Sequence, residues 1–288
     1  MQIDVIDSIS DPGKAGRPNE DRLAWNASSA FVVDGATGLG DQQFITDFGS
    51  DAAWIADFAA KRLMSEVIPN ADLAETIRRI SADANTIFEA MAGYQPRYAW
   101  PVAALAGLRV TAGGLQFVGL GDSVVYILHD DDREESFMAL PDAFEREQAA
   151  ARIHIARLGG IGAAGVAAND PETRADLRRH RETQNTVDGT VWSLSLVPET
   201  ADHIATATID VSGGATAIIC SDGLADLVSL YRQYTPGSLI RRAVTSGLAS
   251  LIRELRQLER EVDPEGLKYP RLKQCDDTTA ILCRITKA

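Results

Sequence analysis

The sequence predicts an α+β fold in which two mostly antiparallel sheets lie face to face with helices outside them. Three observations carry this prediction. Short apolar or alternating runs follow one another across tight turns, so hairpins outnumber strand-helix-strand units. Three long segments each carry one apolar stripe at helical spacing, which must be buried against something. The helical and extended segments come in blocks, in the order strands, two helices, strands, a polar stretch, strands, helix, strand.

Taken in order, residues 2–8, 22–26 and 30–33 read as short strands, alternating or fully apolar. A helix follows near 42–67, where Ile45, Phe48, Ala52, Ile55, Ala59 and Leu63 recur every three or four residues. Pro69-Asn70 separates it from a second helix over about 72–92, with Leu73, Ile77, Ile80, Ala84, Ile87 and Met91 in the same rhythm. Val102–Val110 and Leu115–Leu120 form a hairpin across Ala112-Gly113-Gly114, and Gly121-Asp122 turns into a strand over 123–128. Residues 130–136 are read as a solvated turn. Residues 140–188 are polar, partly helical and rich in Arg, Ala and Gly, and are expected to be a mobile, flap-like insertion in a single domain spanning 1–288. Strands are expected at 190–196, 203–211 and 215–220, a third long helix over about 236–262 with Leu248, Leu251, Leu255, Leu258 and Val262 on one face, and a last strand at 278–285.

Composition narrows the function. With 288 residues and 45% hydrophobic content the chain can bury a large core. Its 41 acidic against 28 basic residues give a formal charge of −13, which argues against a nucleic-acid backbone as ligand. No apolar run approaches the length of a membrane span, and the N-terminus lacks the basic and apolar regions of a signal peptide. Cys220, Cys275 and Cys283 have no metal-binding spacing, and a reducing cytoplasm is the expected compartment.

Five acidic clusters stand out: Asn19-Glu20-Asp21-Arg22, Val33-Asp34-Gly35, Gly121-Asp122-Ser123, Ser221-Asp222-Gly223 and Cys275-Asp276-Asp277. Four adjoin strongly apolar runs, so their carboxylates sit at the ends of buried strands. Two such charges about 4 Å apart repel by roughly 4 kcal/mol in an effective dielectric near 20. They must be protonated or neutralised by cations. Ligands that are all oxygen favour Mg²⁺, Mn²⁺ or Ca²⁺ over zinc or copper.

In order, Asn-Glu-Asp-Arg at 19–22, Val-Val-Asp-Gly at 32–35, Gly-Asp-Ser at 121–123, Cys-Ser-Asp-Gly-Leu at 220–224 and Asp-Asp-Thr-Thr-Ala-Ile-Leu at 276–282 resemble the motifs of the metal-dependent type 2C (PPM) serine/threonine phosphatases, in a divergent bacterial-type branch. The resemblance implies a four-layer α-β-β-α sandwich, a cluster of two or three Mg²⁺ or Mn²⁺ ions and a phosphorylated protein as substrate. It implies that Asp34 bridges two ions with the Gly35 carbonyl beside it, that Glu20 serves one ion and Asp222 and Asp276 the other, and that Asp122 joins Asp222 at a weaker third. Asp21 would hold metal-bound water, and a hydroxide bridging the ions would attack phosphorus in line. Arg17 or Arg22 would meet the phosphate. Glycine at 35 would let the backbone carbonyl approach the ion. Within the last pair, Asp276 is favoured over Asp277 by motif register.

The chain departs from the family at four places. Ala36 stands where eukaryotic members usually carry histidine, Gly16 where the phosphate arginine usually lies, Val124 where an arginine often follows Gly-Asp-Ser, and Trp100-Pro101-Val102-Ala103-Ala104 replaces a Ser/Thr-rich stretch. These motivate an alternative, a catalytically weak pseudophosphatase that binds metal or a phosphoprotein. Gly160-Ile161-Gly162-Ala163-Ala164-Gly165 matches a nucleotide-binding pattern, but no strand leads into it and no apolar helix leaves it. His154 and His180 are expected on the solvated surface, with a visit to the site as the alternative; the arginine-rich run containing Arg174, Arg178, Arg179 and Arg181 is expected to be a solvated helix face, with contact to a phosphopeptide as the alternative. Asp226 is expected to be structural or to support a ligand. No GxSxG elbow is present for serine hydrolysis.

Overall fold

The computed structural model describes residues 1–69, 71–211 and 213–287. Among the described residues, ten strands form two antiparallel five-stranded sheets. They are β1 (Gln2–Asp11), β2 (Asp21–Asn26), β3 (Ser29–Ala36), β4 (Val102–Thr111), β5 (Gly114–Leu120), β6 (Val124–His129), β7 (Glu134–Met138), β8 (Ala205–Ile209), β9 (Ala215–Cys220) and β10 (Thr278–Thr286). One sheet runs β1-β10-β9-β6-β7 and the other β2-β3-β4-β5-β8. Seven α-helices are described: α1 (Asp51–Glu66), α2 (Leu73–Ala92), α3 (Ala143–Leu158), α4 (Pro171–Thr183), α5 (Asp222–Ser229), α6 (Pro236–Ser246) and α7 (Leu248–Gln257).

The layers follow from strand alternation. On β3, Ala30 and Val32 face the other sheet, meeting Ile219 and Ile281 in the inter-sheet core. Phe31 and Val33 face the opposite way, onto Ile55, Ala59, Leu63, Ile77 and Ile80 of α1 and α2. The second sheet does the same: Ile218, Cys220 and Leu282 pack on Leu224, Leu239, Leu251 and Leu255 of α5, α6 and α7. Both faces of each sheet are therefore apolar, giving the expected α-β-β-α sandwich. At about 25 cal/mol per Å², fully burying one leucine or phenylalanine contributes roughly 1.5–3 kcal/mol, so these three cores dominate the favourable side of folding.

Several expected boundaries shift for local reasons. The first helix starts at Asp51, not near 42, because the Asp51 carboxylate accepts from the amides of Phe44 (3.0 Å) and Ile45 (2.7 Å). Ile45 and Phe48 still pack on the core, but from a loop and a short 3₁₀ turn. The long helix over 236–262 is two helices, broken at Gly247 (φ +77°) and followed by a π-helical turn at Leu258–Val262 that leaves Val262 exposed. The solvated turn at 130–136 is shorter than expected, since Glu134–Met138 pairs with β6 as an edge strand. The expected strand at 190–196 is a single bridge, Ala103 to Leu194, because Asn185 rather than a partner strand satisfies Ser193 and Ser195. Helix α5 went unforeseen because it opens on Ser-Asp-Gly, a turn signature. The polar 140–188 segment contains α3 and α4. Among the described residues no helix is long and apolar enough to cross a membrane.

Candidate active site

Strand register brings the acidic clusters to one end of the sandwich. Asp21 at the start of β2 pairs with Asp34 near the end of β3, and Asp34 pairs with Ala104 at the start of β4. Leu105 pairs with Leu120, so the Gly121-Asp122 corner lies at the same end. In the other sheet Cys220, just before Ser221-Asp222, pairs with both Val124 and Ala280. Asp276 precedes β10 there. The hydroxyl of Ser221 locks this end, accepting from the Thr279 amide at 3.0 Å.

A cavity of about 510 Å³ opens at this end, lined by Arg17, Asp34, Gly35, Asp122, Asp222 and Asp276 among others. Glu20 lines an adjoining cavity of about 480 Å³ that shares Arg17, Thr37, Lys273 and Asp276 with the first. Asp21 is buried behind Asp34 and lines neither cavity.

Crowding shows in the carboxyls' acidity. Withdrawal from water, then Asp21, Asp222, Asp122 and Asp276, push Asp34 well above the usual carboxylate range. Burial and then Asp276, Asp122 and Glu147 do the same to Asp222, with Lys273 opposing. Burial, then Asp277, push Asp21 up to about 7, offset in part by Asp34 and Ser221 nearby. Asp122 is raised chiefly by burial, while Arg181 and Lys273 draw it down. Asp226 also lines the cavity, its carboxyl raised well above the ordinary value by burial and by Glu147, while Ser229 donates to it at 3.1 Å.

Other motif residues have structural work. Asp277 accepts from the amides of Gly13 (2.9 Å) and Glu20 (2.7 Å), tying the β1–β2 loop to the start of β10. Glu20 accepts from Thr37 and Ser50, each at 2.6 Å, and Ser50 also caps α1 through the Ala53 amide. A Cβ on Gly35 would lie 2.6 Å from the carbonyl oxygens of Ala52 and Glu20, so packing of β3 against α1 demands glycine there. Arg22 donates to the carbonyls of Asn19 and Asp21 and pairs with Asp57, whereas Arg17 is exposed at the cavity mouth.

Sequence reasoning missed Arg181 on α4, Lys273 before β10 and Glu147 on α3, which all line the cavity. Lys273 Nζ donates to Asp276 Oδ1 at 2.6 Å. The early signal for Arg181 was the arginine run, read as a solvated face with phosphopeptide contact as the alternative, and that face is split. Arg174 and Arg178 grip the carbonyls of Leu39 and Gly40, Arg179 pairs with Asp176, and Arg181 points into the cavity. His154 is buried, between Thr173 and Asp176, not on the surface, because α3 and α4 pack across it. His180 is exposed as expected.

Among the described residues, no three acidic, histidine or cysteine side chains close to ion-coordinating geometry. The donor chemistry nevertheless fits a hard divalent cation. The converging donors are oxygens, burial and the neighbouring carboxylates keep Asp34 from ionising readily, and buried Asp21 Oδ2 has no hydrogen-bond partner.

The chain has the fold of the PPM-type serine/threonine phosphatases. It aligns over 100% of both chains with the serine/threonine phosphatase PstP/Ppp of Mycobacterium tuberculosis, at a TM-score of 0.55 and 15% identity. The PstP catalytic domain in complex with two manganese ions aligns over 99% of each chain, at TM-score 0.53 and 16% identity. The PPM phosphatase MsPP of Mycobacterium smegmatis, in complex with cacodylate, aligns over 97% of this chain and 98% of its own, at TM-score 0.52 and 22% identity. No family model matches the sequence, and no curated protein matches it.

Proposed function

We propose that this chain is a divergent bacterial-type PPM phosphatase that hydrolyses phosphoserine and phosphothreonine monoesters of proteins with Mg²⁺ or Mn²⁺. One observation carries the reading: Asp34, Asp122, Asp222 and Asp276, from four separate parts of the chain, line one cavity at one end of the sandwich. The manganese ions in the PstP structure support the same choice of cation.

In this reading Asp34 and the Gly35 carbonyl would hold two ions between them, Asp222 and Asp276 one of these, and Glu20 the other. Asp122 with Asp222 would hold a weaker third. When bound, the ions supply positive charge that neutralises phosphate oxygens and makes water a stronger nucleophile at neutral pH. The protein's own groups do the rest. Asp21, the partner of Asp34 on neighbouring β2, buttresses it and would orient metal-bound water. Asp277 fixes the Glu20 backbone. Lys273 holds Asp276, and the hydroxyls of Thr37 and Ser50 hold Glu20, in place. Arg17 at the mouth meets the incoming phosphate. Residues 1–288 act as one catalytic domain, with 140–188 as a flap over the cavity.

The test is hydrolysis of p-nitrophenyl phosphate and of a phosphothreonine peptide, with Mn²⁺ and with a chelator. The expected result is Mn²⁺-dependent turnover that Asp34→Asn and Asp222→Asn each reduce at least about 100-fold. Turnover that survives the chelator, or wild-type rates in both variants, would overturn the proposal.

A second reading has its own support. Lys273 already neutralises Asp276, and both oxygens of Glu20 are engaged. These contacts suit a pseudophosphatase that binds a phosphoprotein without hydrolysing it. Saturable phosphopeptide binding with no turnover at any Mn²⁺ concentration would favour it.

A further inference from the structure

We infer that Arg181 anchors the substrate phosphate inside this cavity, reaching a phosphomonoester from α4 in addition to Arg17 at the mouth. The inference rests on the phosphatase reading above and extends it to a residue that lies outside the acidic motifs.

Arg181 lines the cavity together with Asp34, Asp122 and Asp222. Its Nη1 is buried and has no hydrogen-bond partner. Among the described residues no carboxylate forms an ion pair with it, although Asp122 and Glu20 are near enough to favour its charge. A guanidinium has five donors in a planar fork, and leaving one buried and unmet is costly unless a ligand completes it. The matching ligand is a dianion with several acceptor oxygens, which a phosphate monoester provides. Burial lowers Arg181 only to about 10, so it stays cationic at neutral pH. It also lies in the last turn of α4, where the helix dipole favours positive charge.

The helix is held in position for this role. Arg174 donates to the Gly40 carbonyl at 2.7 Å and Arg178 to the Leu39 carbonyl at 2.9 Å. The Arg178 guanidinium also lies over the Tyr98 ring, 4.5 Å from its centroid. Leu39 and Gly40 lie four and five residues after Gly35, so α4 is pinned to the same loop that leaves the acidic floor. A phosphate in the cavity would thus share its lining with Arg181, Asp34, Asp122 and Asp222.

The experiment compares wild type with Arg181→Met and Arg181→Lys, both in the Mn²⁺-loaded chain of residues 1–288. Calorimetry measures the Kd of inorganic phosphate and, separately, of Mn²⁺, and steady-state assays separate KM from kcat on p-nitrophenyl phosphate. Loss of a charge-assisted fork predicts that Arg181→Met weakens phosphate binding and raises KM about 10- to 100-fold, with Mn²⁺ affinity unchanged. Arg181→Lys should recover part of the phosphate affinity, because it keeps the charge and loses the fork. Unchanged phosphate affinity in Arg181→Met would overturn the inference. So would altered Mn²⁺ affinity alone, which would make Arg181 a counter-charge for the carboxylates. If wild type binds phosphate but turns over no ester, the phosphatase reading fails while the phosphate titration still decides the role of Arg181.

Discussion

Asp21→Asn should make the metal-free protein more stable at neutral and alkaline pH, and the size of the gain follows from the site's crowding. Asp21 is 2% exposed, faces Asp34 across β2 and β3, and is pushed from 3.8 up to about 7, chiefly by burial. Its folded pKa thus lies above its unfolded one. Below about pH 4 the carboxyl is protonated in both states and costs nothing. As pH rises from about 4 to 7 the unfolded chain loses the proton first, and the folded state is progressively destabilised. Above about pH 7 the full penalty applies, about 4 kcal/mol at 1.36 kcal/mol per pK unit. Relaxation and water entry in a crowded site reduce that to about 2 kcal/mol. Asparagine removes the charge and gives Asp34 a donor in place of an orphaned oxygen. In chelator at pH 8 the variant should unfold roughly 4–8 °C higher than wild type, by differential scanning calorimetry. The gap should close toward pH 4, and saturating Mn²⁺ should shrink or reverse it. A variant no more stable than wild type in chelator at pH 8 would refute the idea that these carboxylates are mutually strained.

Three further outcomes follow from single contacts. Gly35→Ala forces a Cβ to 2.6 Å from two backbone carbonyls, so soluble yield should fall sharply and urea unfolding should show a loss above about 2 kcal/mol. Arg256→Met strips buried Glu259 of its 2.7 Å partner and Asp11 of its 2.8 Å one; the expected cost is about 3–5 kcal/mol by urea titration. Asp277→Ala leaves the Gly13 and Glu20 amides unmet, which should cost about 2 kcal/mol and raise the Mn²⁺ Kd measured by calorimetry through loss of Glu20 positioning.

The sandwich was legible because period-two runs such as Phe31–Val33 and Ala217–Cys220 are apolar on both faces, which only a doubly covered sheet permits. The acidic floor was legible because its members sit beside strand ends, where register alone brings distant chain segments together. Helix boundaries were less so. The halt at Asp51 depends on a side chain turning back to cap two amides, and the break at Gly247 on one positive φ, neither of which disturbs the apolar stripe. The cationic side of the cavity was hidden for a different reason. Arg174, Arg178, Arg179 and Arg181 look alike in sequence, and only the docking of α4 on the Leu39–Gly40 loop decides which one turns inward. Gly35 was recognised, but its cause is the close approach of Ala52 and Glu20 rather than access to an ion alone.

The most direct test of the central claim is a Mn²⁺ titration followed by electron paramagnetic resonance, on wild type and on Asp34→Asn. Convergent carboxylates that answer their repulsion with divalent ions predict about two saturable Mn²⁺ ions per wild-type chain and at most one, bound at least about tenfold more weakly, in the variant. Absence of saturable Mn²⁺ binding in wild type, or identical isotherms for the two proteins, would contradict the account.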